Sequence, residues 1–147
     1  MKCYKYLMDT TFDVLAATCP TREVFGRLGE RWTALIVLAL LDGPLRFNAL
    51  RRAVDGVTQK MLTQTLRAME RDGLVSRRVT PTVPVSVEYA LTPLGRDLAG
   101  PIVELRNWSY EHMADITQAR ARYDAQPSSA PTGGASNTPI NVPGQYT

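Results

Sequence analysis

The chain reads as a mainly α fold carrying one small antiparallel β-hairpin, and three stretches say so. Met61, Leu62, Thr65, Leu66 and Met69 recur at three- and four-residue steps, the period of a helix with one packed side. Residues 74–79 and 85–91 are β-prone runs joined by Thr80-Pro81-Thr82-Val83-Pro84, which predicts a hairpin. Upstream, residues 46–54 form a shorter helical pattern, closed by the turn Asp55-Gly56-Val57. Short helix, glycine-containing turn, polar-faced helix and hairpin, in that order, make a winged helix-turn-helix.

The first 19 residues are an arm with Tyr4, Leu7, Met8, Phe12, Val14 and Leu15, apolar enough to pack on a partner subunit. Cys19-Pro20-Thr21 opens a helix over about 20–28, because proline is tolerated where the backbone N–H would be unpaired anyway. Cys19 or Thr21 is its expected cap, and Val24, Phe25 and Leu28 its buried stripe. Gly29-Glu30-Arg31 breaks it. The next run, WTALIVLALL over 32–41, carries no charge, so it is expected to be a core helix surrounded by protein. Asp42-Gly43-Pro44 ends that run, and the short helix follows with Phe47, Leu50 and Val54 on one side.

The polar-faced helix spans 58–71. Thr58 precedes its apolar positions and can cap it. Its other face carries Gln59, Lys60, Thr63, Gln64, Arg67 and Arg71, a mixture that can read base edges and neutralise phosphates. Asp72-Gly73 stops it, and the strand after it has a basic edge at Arg77 and Arg78. Thr92-Pro93-Leu94-Gly95 starts the last helix, with Thr92 as cap. Leu94, Leu98, Ile102, Leu105, Trp108, His112 and Ile116 continue at helical spacing, and Pro101 is expected to bend or divide the helix. So long an amphipathic helix predicts dimerisation through Leu105, Trp108 and Met113. The expected organisation is an arm over 1–19, a DNA-binding domain over 20–92, a dimerisation helix over 93–122 and a disordered tail over 123–147.

Charge supports this division. The formal net charge is +3, but eight cations stand against three acids between Arg46 and Arg78, so that segment carries +5. A basic middle in an otherwise slightly acidic chain points to nucleic acid. No leader-like apolar run opens the chain, and the longest apolar stretch is too short for a bilayer, so a cytoplasmic protein without a membrane partner is expected. Two cysteines and one histidine without ligand spacing argue against a zinc site or any cofactor. No glycine-rich phosphate loop, nucleophile elbow or carboxylate pair supports an enzyme.

The chain also resembles the HxlR family of bacterial winged-helix transcription regulators, relatives of the MarR group. The resemblance rests on Cys19-Pro20, Gly29-Glu30-Arg31-Trp32-Thr33, the run from Gly43-Pro44 to Arg51-Arg52, and Lys60-Met61-Leu62-Thr63-Gln64-Thr65-Leu66-Arg67. Glu70-Arg71-Asp72-Gly73-Leu74-Val75, Pro84, Val87-Glu88-Tyr89, Leu91-Thr92 and Leu94-Gly95 complete it, over about residues 19–112. It implies a homodimer built from N- and C-terminal helices, a recognition helix at 58–71 and a wing at 75–90. Residues 1–18 and 123–147 lie outside the pattern.

The candidate DNA contacts are therefore Gln59, Thr63 and Gln64 on base edges, and Lys60 and Arg67 on bases or phosphates. Thr58 marks a helix N-terminus that can hold a phosphate. Arg51 and Arg52 would lie near the backbone, and Arg77 and Arg78 would meet flanking phosphates or the minor groove. Strand alternation sends those last two to opposite sides. Cys19 is the candidate regulatory residue: free N–H groups at a helix start favour a thiolate, and Arg22 is one turn away. Some members of the resembled family sense quinones, aldehydes or oxidants through a cysteine at this position, which implies an oxidant or small-molecule effector. Cys3 is its candidate partner. The competing readings are a winged-helix protein-interaction module and a regulator responding to a small aromatic ligand.

Overall fold

A computed structural model describes residues 12–127. The elements are α1 (Pro20–Leu28), α2 (Arg31–Leu40), β1 (Leu45–Arg46), α3 (Phe47–Ala53), α4 (Gln59–Arg71), β2 (Val75–Thr80), β3 (Ser86–Leu91) and α5 (Pro93–Asp124). The chain forms two units, Met1–Tyr110 and Glu111–Thr147. The first contains every element through the start of α5. In the second, α5 runs on to Asp124, where Thr117 donates its hydroxyl to the Met113 carbonyl at 2.8 Å. Residues 1–11 of the arm, Cys3 among them, and residues 128–147 of the expected tail lie outside the described residues.

The core of the first unit gathers one face from each of α2, α3 and α4 against the sheet. Ile36, Val37, Leu50, Leu62, Leu66 and Met69 are buried completely or nearly so, and Tyr89, Leu91 and Ile102 close around them. These are the residues that the helical and alternating patterns mark as inward-facing. Thr65 sits among them because its hydroxyl donates to the Met61 carbonyl at 2.8 Å, which satisfies the one polar atom it buries.

Several expectations are corrected. Arg46 does not start the third helix but forms a two-residue strand with Leu45, so the hairpin grows into a three-stranded sheet of order β1-β3-β2. Leu45 pairs with Tyr89 and Arg46 with Glu88. The expected buried stripe of α1 is not buried: Val24 and Phe25 are exposed and only Leu28 packs on the core. Nor is α2 enclosed on all sides, since Leu35 and Leu41 are exposed while Thr33, Ile36, Val37 and Leu40 face inward. Met61, read as a packing position, is 38% exposed at the rim of α4. Pro101 does not divide α5, which runs through it. It lies on the exposed side, where water can pair with the carbonyl that its missing N–H leaves free.

The joint between α4 and β2 is held from two directions. Gly73 takes φ 74°, the left-handed stop that an L side chain resists. Thr92 donates its hydroxyl to the Gly73 carbonyl, accepts from the Gly95 N–H at 3.1 Å, and gives its own N–H to the Leu74 carbonyl at 3.1 Å. One threonine thus caps α5 and ties its start to the end of α4. From the other side, Arg27 Nε of α1 stands 2.6 Å from Asp72 Oδ2, an ion pair not aligned as a hydrogen bond.

Candidate nucleic-acid interface

The interface is built on α4. Thr58 accepts the Met61 N–H on its hydroxyl at 3.1 Å, the cap expected of it, and fixes where the helix begins. Leu62, Thr65, Leu66 and Met69 anchor the inner face, which obliges the opposite face to look outward. Gln59, Lys60, Gln64 and Arg67 are exposed there, and Thr63 is half-buried among them. With Thr63 these side chains line one shallow recess of about 500 Å³, with no acidic residue in it. Thr63 donates its hydroxyl to the Gln59 carbonyl at 2.8 Å. Its proton is therefore committed to the helix, leaving a methyl group and an acceptor for any base it meets.

Arg51 and Arg52 are exposed on α3 and line a second recess with Asn48, Asp55, Gly56 and Val57, at the turn that leads into α4. Asp55 lowers the net charge of that recess. Arg77 and Arg78 are exposed on β2, and the register separates them as alternation requires. Arg77 is the cross-strand neighbour of buried Tyr89, so it shares the face that the helices cover. Arg78 pairs with Glu88 on the other face, and Arg46 of β1 flanks the same glutamate. Arg46 and Asn48 were not singled out as contacts from the sequence. Both line a groove with the hairpin loop, beside which the pairing of β1 with β3 sets Arg46.

Cys19 occupies the N-cap of α1 without a side-chain capping bond. Thr21, the alternative cap, lies inside the first turn and instead shares a hydrogen with Cys19 Sγ at 2.9 Å. That hydroxyl is the main reason the thiol lies below its ordinary range. Partial burial opposes it, and the backbone N–H groups of Thr21, Asp13 and Arg22 add to the lowering. Arg22, expected to act through its charge, donates its guanidinium to the Leu15 carbonyl at 3.2 Å. Among the described residues no group of three His, Cys, Asp or Glu side chains could hold a metal, and no helix is long and apolar enough to cross a membrane.

Comparison with known proteins adds the identity that geometry alone lacks. The HxlR-like helix-turn-helix family matches residues 27–117. YtfH of Escherichia coli (strain K12), an uncharacterized HTH-type transcriptional regulator, is 41% identical over 108 residues, which are 74% of this chain and 86% of YtfH. The solved structure of ytfH from Salmonella typhimurium superposes with a TM-score of 0.72 at 40% identity, covering 76% of this chain and 99% of that one. The redox regulator HypR in its reduced form gives a TM-score of 0.62 at 34% identity, over 67% of this chain and 98% of HypR. Its oxidised form gives 0.58 at 38% identity, over 63% and 96%. With the fold, the bare polar face of α4 and these matches agreeing, the chain belongs to the HxlR-like helix-turn-helix family, whose members are DNA-binding transcription regulators and not enzymes.

Proposed function

We propose that the chain is a sequence-specific regulator that binds double-stranded DNA as a homodimer on an inverted repeat. The observation that carries this reading is the outward face of α4, where Gln59, Lys60, Thr63, Gln64 and Arg67 share one surface free of acids. In the major groove, Gln59 and Gln64 can bond adenine bidentately, and the Thr63 methyl can meet a thymine methyl. Lys60 and Arg67 meet bases or phosphates, and the helix start at Thr58 meets a phosphate. Arg51 and Arg52 neutralise the neighbouring backbone, and Arg77 and Arg78 the backbone beside the wing.

The dimer reading is supported by apolar side chains that the first unit leaves uncovered. Phe25 of α1 is 66% exposed, and Leu105 and Trp108 of α5 are 61% and 52% exposed. Two-fold symmetry then brings the two copies of α4 about 34 Å apart, one turn of the duplex.

Control by thiol chemistry is the finer part of the proposal. Cys19 is half-buried with its thiol lowered by Thr21, and HypR, of similar fold, is a redox regulator solved in two redox forms. Oxidation or alkylation at the start of α1 would tilt that helix and change the separation of the two reading heads. Selection of bound duplexes from a random pool, with reduced and with diamide-treated protein, tests all three parts. An enriched palindrome lost on treatment is expected. A selected site without two-fold symmetry removes the dimer, and one indifferent to diamide removes the switch.

A further inference from the structure

The three residues that follow α4, Asp72-Gly73-Leu74, are bonded to that helix and to two others at once. Their N–H groups donate to the Ala68, Glu70 and Met69 carbonyls at 3.0, 3.0 and 2.9 Å, so the stop moves with the last turn of α4. On one side Thr92, the cap of α5, holds the Gly73 and Leu74 carbonyls. On the other side Arg27 of α1 meets the Asp72 carboxylate. The grip from α5 reaches the backbone directly. The grip from α1 is one side-chain pair, on a helix that buries none of its own residues and brings only Leu28 to the core.

We propose that Arg27 and Asp72 are positioning residues: they set the direction of α4, and through it the alignment of Gln59, Thr63 and Gln64 with base edges. The inference rests on the DNA-binding reading and adds to it two residues outside the reading face. Leu62, Leu66 and Met69 keep α4 on the core, but apolar contact is non-directional and lets the axis swing a little. A pair fixed at one end of the helix removes that freedom. At 13 residues α4 is about 20 Å long, so a swing of roughly 5° about the stop displaces Gln59 by about 2 Å. That breaks a hydrogen bond to a base edge, whose length is held within a few tenths of an ångström. Lys60 and Arg67 reach phosphates on long flexible stems that follow such a swing. Loss of the pair therefore reduces discrimination between sequences and spares affinity for duplex DNA as such. A through-space effect of charge predicts otherwise. Asp72→Asn would then strengthen binding to every duplex, and Arg27→Gln would weaken it.

The test compares the full chain with Asp72→Asn, Arg27→Gln and the double variant, each well below its own melting temperature. Two duplexes of equal length are the probes: the one enriched by selection with the wild type, and one of random sequence. Each single variant is expected to lower the ratio of the two affinities about tenfold, the worth of one bidentate base contact. The slope of log affinity against log salt on the random duplex is expected to stay at the wild-type value, because no phosphate contact is lost. The double variant should lose no more than either single one, since one contact is removed in all three. Asp72→Glu, which keeps the charge, should restore part of the ratio. An unchanged ratio in both single variants, whatever their melting temperatures do, overturns the inference and leaves the DNA reading standing. Shifts of opposite sign on both duplexes overturn it in favour of a through-space effect. A wild type that enriches no duplex overturns the DNA reading itself, and this inference with it.

Discussion

Arg27 on α1 and Asp72 at the end of α4 meet at 2.6 Å, with only 18% and 26% of their side chains exposed. The contact joins the helix that Cys19 begins to the helix that would read DNA, across 45 positions of sequence. It is sheltered enough to escape the weakness of surface ion pairs. Asp72→Ala leaves the Arg27 guanidinium partly buried beside only Glu23, 3.5 Å away and largely exposed. A loss of about 1–3 kcal/mol is expected, read as a fall of several degrees in the melting temperature. Asp72→Glu, which keeps the charge, recovers part of it. An unchanged melting temperature in Asp72→Ala would show that the pair contributes nothing.

Two glycines of α5 make a matched pair with opposite outcomes. A Cβ on Gly95 would overlap the Leu74 carbonyl oxygen, lie 3.1 Å from the Leu74 carbonyl carbon and press Leu91 at 3.2 Å. The obstacle is backbone, already held by Thr92, and cannot rotate away. Gly95→Ala is therefore expected to cost about 2–4 kcal/mol and to loosen the α4–β2 joint. A Cβ on Gly100 meets nothing within 4 Å, and the residue sits inside a helix on the exposed side. Gly100→Ala is expected to stabilise by about 0.5–1 kcal/mol through helix propensity and a less disordered unfolded state. Urea denaturation of the two variants reads both signs, and equal effects would contradict the packing described here.

What the sequence made legible is what depends on neighbours three or four positions away. The period of α4, the Thr58 and Thr92 caps, the Gly73 stop and the alternation of β3 are all local, and the structure keeps them. β1 was not legible, because two residues have no period and their partners, Tyr89 and Glu88, lie over forty positions downstream. The same distance hid the Arg27–Asp72 pair. Val24 and Phe25 show a different shortfall. Apolar spacing says that a face seeks cover, but not whether its own fold supplies that cover, and here it does not. On the DNA side, residue type pointed to Gln59, Lys60 and Arg67, and alternation separated Arg77 from Arg78, yet which of those two shares the helix-covered face needed the register.

The lowered thiol of Cys19 has a sign that can be worked through. A depressed pKa means more thiolate at neutral pH than an unperturbed cysteine holds, so alkylation of the folded protein should reach half its plateau rate at a lower pH than the same thiol in urea. Thr21 is the largest cause. Thr21→Val removes the hydroxyl that stabilises the thiolate and leaves the opposing burial in place, so the inflection should move up. The rate of iodoacetamide labelling against pH measures this directly. Because any stability the shift provides belongs to the thiolate, it is present only above the unfolded-state pKa and is lost as pH falls through the folded one. An inflection that stays put in Thr21→Val would transfer the effect to the backbone N–H groups.

The cross-strand register also ranks the two wing arginines. Arg77 lies on the side of the sheet that the helices cover, beside Tyr89, and no acid is its cross-strand partner. Arg78 lies on the far side with Glu88 as its cross-strand neighbour, and Arg46 flanks the same glutamate. A phosphate approaching from the α4 side meets Arg77 first. Arg77→Ala should therefore flatten the salt dependence of DNA binding by about one phosphate's share, and Arg78→Ala by less. Glu88→Gln supplies the cross-check, since removing the carboxylate flanked by Arg46 and Arg78 should strengthen binding at low salt. If Arg78→Ala proves the more damaging, the duplex lies against the outer face of the sheet, and the ranking of the two arginines has to be reversed.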